Sequence, residues 1–217
     1  MKDTRKCLGA GQASVNSPEG FSPNVSPGKK DTKKPRVLLH SCCGPCSTSV
    51  IERLIVDYDV TVFFYNPCIT DEDEYLKRKE NQIYFIEEFN KKANNYTEIR
   101  FYEGKYDRDA YFEKASPYAS EPEGGKRCVV CFEQRLEETA RQAAKGGFDY
   151  FATTLTVSPH KNYQLISEIG NRLGKKYGVA FLDKDFKKKA GFQRSIQLSK
   201  EYELYRQNYC GCQYSKR

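Results

Sequence analysis

Three thiols fall within five residues, Cys42, Cys43 and Cys46, in the run His40-Ser41-Cys42-Cys43-Gly44-Pro45-Cys46. The apolar Val37-Leu38-Leu39 precedes them and a helix-like stretch from Ser47 to Val56 follows, so the chain must leave a strand, turn and start a helix within a few residues. Adjacent cysteines point in different directions, and both face one centre only where the backbone turns sharply. Gly44 and Pro45 supply that turn chemistry, and Ser47 or Thr48 is available to cap the helix. A core needs no thiol cluster this dense.

A second pair, Cys128 and Cys131, has the two-residue gap that sets both sulfurs on one side of a first helical turn. Cys42, Cys43, Cys128 and Cys131 make four thiolates, the number that a structural zinc or an iron–sulfur cluster requires. Spacing alone leaves both metals open. Cys46 is a fifth ligand candidate that a closed four-thiolate site does not need, which favours a working centre. Two more cysteines, Cys210 and Cys212, flank Gly211; such a pair can close a small, strained and easily reduced disulfide, a poor staple but a plausible electron relay, or serve as further ligands. Cys68, after Asn66-Pro67, reads as a buried structural thiol.

Composition narrows the setting. The 217 residues are 38% hydrophobic and 30% charged, which suits one soluble domain. No apolar run approaches the ~20 residues of a membrane span, and no signal-peptide pattern follows Lys2, Arg5 and Lys6. Nine cysteines without an export signal point to metal or redox chemistry in the cytoplasm, with no membrane partner. The net charge of +7 is concentrated at the ends: residues 184 to 217 hold nine basic and three acidic groups. A basic segment of this kind suits a nucleic-acid surface or a solvated helix face.

Residues 1–33, rich in Gly, Ser, Pro, Asn and Lys, lack periodic apolar positions and read as a disordered extension, with Cys7 an incidental thiol. From residue 34 to 217 the pattern alternates. Strands are expected at 37–39, 60–65, 99–102, 148–155 and 179–182, and helices at 47–56, 71–92, 107–114, 131–145, around Leu165–Leu173, and 196–205. In the long helix Leu76, Ile83, Ile86 and Phe89 have core spacing. This alternation implies an α/β domain with a parallel sheet and helices on both faces, whose ligands bind beyond the carboxyl ends of the strands. The first thiol cluster lies at such an end.

His160 and Lys161 fall in a strand-to-helix loop on the same edge; for His160, acid/base or substrate contact stands against simple loop capping. Lys187 and Lys188, with Arg194, are interleaved with Phe186 and Phe192, a mixture that suits phosphate contact and base stacking in a single-stranded RNA loop. No P-loop and no Ser-Gly-Gly-x-Asp-Ser loop follows the first strand, so ATP activation of a substrate, as in iron–sulfur tRNA thiolation enzymes, is not indicated. A non-catalytic, zinc-stabilised RNA-binding protein is the rival reading.

Five stretches together resemble the QueH-type epoxyqueuosine reductases, the cobalamin-independent family of queuosine synthesis: His40 to Cys46, Gly124 to Leu136, Thr153 to Asn162, Asp185 to Arg194, and Leu204 to Cys212. They span about residues 36 to 217. The resemblance implies a HUP-like fold and reduction of epoxyqueuosine to queuosine in the tRNA anticodon loop, with electrons from an unidentified donor. It implies that Cys42, Cys43, Cys128 and Cys131 hold a 4Fe-4S cluster, that an additional iron lies beside it, and that Cys210 and Cys212 form a redox-active disulfide. The expected substrate contacts, His160, Lys161, Lys187, Lys188 and Arg194, rest on the reading of the strand-to-helix loop and of the basic, aromatic-interleaved segment. The chain departs from the family pattern at Cys46, where some members carry Asp, and at Cys68, where Asn is expected.

Overall fold

A computed structural model describes residues 34–93 and 96–216. The expected extension, with Cys7, lies outside the described residues. The strands are β1 (Arg36–Ser41), β2 (Asp59–Phe64), β3 (Arg100–Glu103), β4 (Tyr150–Thr153) and β5 (Ala180–Phe181). The helices are α1 (Gly44–Leu54), α2 (Glu72–Lys92), α3 (Arg108–Ala115), α4 (Lys126–Lys145), α5 (Tyr163–Tyr177) and α6 (Gly191–Glu201). All strand pairings are parallel, in the order β3-β2-β1-β4-β5.

Alternation along β1 divides the core. Val37 and Leu39 pack with Val50, Ile51 and Leu54 of α1, Phe85 and Ile86 of α2, and Leu198 of α6. Leu38 faces the other way, toward Leu136, Ala140 and Ala143 of α4 and Ile166, Ile169 and Leu173 of α5. Successive strand side chains point to opposite faces, so one six-residue strand serves both layers. Helices therefore cover both sheet faces, as the sequence pattern implies. The connections run outward from β1 in both directions, so the strand order reverses between β1 and β4. A crevice opens at such a switch point, beyond the strand ends.

Several element boundaries differ from the sequence expectation, each for a local reason. Helix α1 starts at Gly44, with Cys43 as its N-cap and Pro45 in the first turn; Ser47 and Thr48 instead donate to the Gly44 and Pro45 carbonyls. Helix α4 starts five residues before Cys131, at Lys126, so Cys128 and Cys131 both lie near its N-terminus. Strand β4 stops at Thr153 because the Thr153 hydroxyl accepts from the Leu155 amide and tightens residues 154–157 into a 3₁₀ turn. Helix α6 begins at Gly191, not Ile196, and ends before Tyr205: Ala190 and Glu203 take left-handed backbone angles that bracket it. Asp71 caps α2 by accepting from the Glu74 amide. The face α2 buries carries Tyr75, Arg78, Gln82, Phe85 and Ile86, whereas Leu76 is exposed. Polar residues on the buried stripe displaced the register read from apolar spacing.

Candidate metal–thiol site

The crevice at the end of β1 collects every cysteine among the described residues. Cys42 and Cys43 follow β1 directly, and Cys46 is in the first turn of α1; the three sulfurs lie within 4.8 Å of one another. Cys42 contacts Cys43 at 3.9 Å. Cys68 leaves the end of β2 and packs against Cys131 of α4, with Cys212 beside them. Cys128, Cys131, Cys68, Cys210 and Cys212 line one cavity, and Cys42, Cys46 and Cys210 line a second of about 570 Å³. All eight thiols are free. Helices α1 and α4 direct their N-terminal ends here, and the positive end of a helix dipole favours thiolate over thiol.

Charge in the crevice is organised around these sulfurs. Contacts from Cys43 and Cys46 hold the Cys42 thiol well below its ordinary range, while the same coupling pushes Cys43 up to about 12 and Cys46 upward. Contact with Cys131 likewise lowers Cys68 to about 6 and raises Cys131. In each group one sulfur carries the charge and its neighbours share protons with it. Cys210 is pushed up by burial.

Two cations balance the sulfurs. Burial opposes the charge of Arg135 and Lys161, but the cysteine sulfurs that face them more than offset it and keep both protonated. Arg135 faces Cys131, Cys68, Cys210 and Cys42; Lys161 faces Cys210, Cys42 and Cys46. The Gly124 amide donates to the Cys128 sulfur at 3.2 Å, and Gln207 Nε2 donates to the Cys43 sulfur at 3.0 Å. His40 is fully buried, bonded to the Thr153 hydroxyl at 3.0 Å and the Tyr65 carbonyl at 3.1 Å; burial first, then Arg135, lowers its pKa to about 4. It is a neutral support under the thiol turn.

The remaining expected residues divide. His160 and Lys161 line both cavities. Lys187 spends its ammonium on the Lys161 carbonyl, at 3.1 Å, and so props the loop. Lys188 is exposed. Arg194 is paired in two-pronged fashion with Glu52, at 2.6 and 3.0 Å. Cys68, which the sequence reads as a structural thiol, is buried as that implies, yet it sits among the candidate ligands. Apolar spacing gives no sign of Arg135 and Arg78, although each is a charged residue on a helix stripe that is otherwise buried. Arg78 donates to Glu74 at 2.6 Å and to the Cys210 and Tyr209 carbonyls at 3.0 and 3.2 Å, clamping the Cys-Gly-Cys segment onto the crevice.

A parallel α/β sheet whose switch-point crevice holds eight thiols, the buried Arg135 and the half-buried Lys161 defines a metal–thiol or thiol-redox protein of the α/β class. The donor set fits a metal–sulfur group: three sulfurs within 4.8 Å of one another at the start of α1, further sulfurs at the α4 N-terminus lining the adjoining cavity, helix dipoles, and cations to offset thiolate charge. Comparison with known proteins narrows the class. The family model described as epoxyqueuosine reductase QueH matches residues 37–217. The epoxyqueuosine reductase QueH of Streptococcus pyogenes serotype M1 is 44% identical over 187 residues, covering 86% of this chain and 72% of that protein. The proteins of the same name from Thermotoga maritima and Dehalococcoides mccartyi are 39% and 33% identical, covering 89% and 93% of their lengths and 82% and 84% of this chain. The chain belongs to the QueH family of epoxyqueuosine reductases, a family of oxidoreductases. Among the described residues, no helix is long and apolar enough to cross a membrane.

Proposed function

We propose that this chain reduces epoxyqueuosine in the tRNA anticodon loop to queuosine, in the cytoplasm, by two-electron removal of the epoxide oxygen. Two electrons and two protons break both carbon–oxygen bonds, and the products are the cyclopentene and water. Cys42, Cys43, Cys128 and Cys131 would hold a 4Fe-4S cluster, and Cys46 would contribute to an adjacent iron. When bound, that group supplies one-electron transfer and Lewis acidity, which zinc, lacking redox chemistry, could supply only in part. The observation that carries the reading is the gathering of eight thiols around two adjoining cavities at the end of β1, with Cys42, Cys46 and Cys210 lining the larger one of about 570 Å³, in a chain of this family.

The chain's own groups supply the rest. Phe192 and Tyr209 offer aromatic faces on the crevice wall for a base, while Arg206 offers a cation for the backbone phosphates. His160 and Lys161 stand over the thiols, where Lys161 stabilises charge developing on the departing oxygen. Cys210, facing both cavities, and Cys212 are a candidate dithiol, oxidised to a disulfide as it delivers two electrons and restored by the unidentified donor.

Anaerobic purification followed by visible absorbance and iron, sulfide and zinc analysis tests the centre. About four irons with matching sulfide are expected, and about five if the neighbouring iron is present. Colourless protein with one zinc would sink the reductase reading and promote a zinc-stabilised RNA-binding protein. Full turnover by Cys210→Ser and Cys212→Ser proteins with the physiological donor would end the relay role.

A further inference from the structure

Arg135 stands apart from the other basic residues of the crevice. Its side chain is 1% exposed, and it lines both cavities, between the Cys42 group and the Cys68–Cys131 group. Nε donates to the Cys131 carbonyl one helical turn earlier, at 3.1 Å, and the guanidinium lies 5.7 Å from the Phe132 ring centre. These contacts fix its direction. Nη2, fully buried, has no hydrogen-bond partner among the described residues. Among the described residues no carboxylate bonds to the guanidinium; the negative groups that face it are sulfurs, with His40 and Lys161 also nearby.

A buried charge normally has a partner, and leaving a buried donor unpaired is costly, more so when the donor is charged. A guanidinium held there with a free N–H must answer to something negative in the crevice. Four thiolates around a cluster leave a net negative group whose charge grows by one on reduction. A fixed cation beside it therefore favours the reduced form, and hydrogen bonds to sulfur act in the same direction.

We propose that Arg135 is a positioning residue that raises the reduction potential of the metal–sulfur group, through its fixed charge and through Nη2 offered to a sulfur of that group. This rests on the reading of the site as an iron–sulfur centre. Arg135 touches no reacting carbon or oxygen; it acts through the group beside it.

The test is a redox titration with dithionite of anaerobically reconstituted full-length protein, followed by EPR, for wild type, Arg135→Gln, Arg135→Lys and Arg141→Gln. Arg141 lies on the exposed face of the same helix, paired with Glu138, and serves as the control. At a fixed poise, Arg135→Gln is expected to lower the reduced-to-oxidised ratio tenfold or more, ~59 mV for one electron. Arg135→Lys keeps the charge without the second N–H and is expected to fall between, while Arg141→Gln matches wild type. Wild type without a reducible cluster would refute the iron–sulfur reading itself. A wild-type cluster with unchanged potential in both Arg135 variants would overturn the proposal alone. Should Arg135→Gln not fold, Arg135→Lys decides. Folded variants that fail to assemble the cluster would also overturn it, since Arg135 would then be a scaffold residue.

Discussion

His40 shows how a single side chain under the site couples its protonation to folding. Its Nε2–H donates to the Tyr65 carbonyl, which makes Nδ1 the acceptor from the Thr153 hydroxyl, so the ring is neutral. The folded pKa of about 4 lies below the unfolded 6.5. Between those values the unfolded chain takes up a proton that the folded chain refuses. Stability present above pH 6.5 is therefore lost as the pH falls toward 4, by on the order of 3 kcal/mol from this group. Urea unfolding of metal-free protein across that window should show the loss, and His40→Asn should flatten it. Gly211 makes a second point. Its φ of +122° suits glycine, and an added Cβ would lie 3.0 Å from Ile69 Cγ1 and 3.1 Å from Arg78 Nη1. Gly211→Ala should cost about 1–3 kcal/mol and loosen the two flanking cysteines, visible as faster thiol alkylation at Cys210.

The C-terminal segment after α6 is held mainly by side chains from α2. Arg78 is 1% exposed and bridges Glu74 to two carbonyls of that segment, Tyr205 donates to Glu74 at 2.9 Å, and the Thr70 amide donates to the Gly211 carbonyl at 3.2 Å. Arg78→Ala would leave Glu74 with only the Tyr205 hydroxyl, and the Cys210 and Tyr209 carbonyls without their donor. A loss of about 3–5 kcal/mol is expected from breaking such a buried pair. Hydrogen exchange should accelerate from Tyr205 to Cys212 first, before α2 itself; uniform acceleration across the sheet would refute the clamp. On the opposite side, Arg53 of α1 donates to the Phe186, Lys188 and Lys189 carbonyls, tying the helix that carries Cys46 to the basic loop.

Over the whole molecule, basic residues separate into those already neutralised and those free to meet phosphate. Glu52 occupies Arg194, whereas Lys188 is exposed without an ion pair among the described residues. If tRNA lies across the crevice, Lys188→Ala should reduce the dependence of log affinity on log salt by about one contact, while Arg194→Ala should leave it nearly unchanged. Fluorescence anisotropy with tRNA over a salt series separates these outcomes. The strand–helix alternation, the parallel sheet and the placing of Cys42 and Cys43 at a strand end were legible in the chain because they depend on local periodicity and turn chemistry, which neighbouring residues specify. So were the helical gap of Cys128 and Cys131 and the family motifs. Packing alone brought Cys68 to Cys131, since two different crossovers must fold before the ends of β2 and α4 meet. Packing likewise turned Arg135 and Arg78 inward, spent Lys187 and Arg194 on internal partners, and pressed Cys46 against Cys42 and Cys43. Local sequence can state which groups a chain carries and roughly where they lie along it. Which of them share a desolvated crevice depends on contacts between residues far apart in the chain, and it is burial among those contacts that changes their charge.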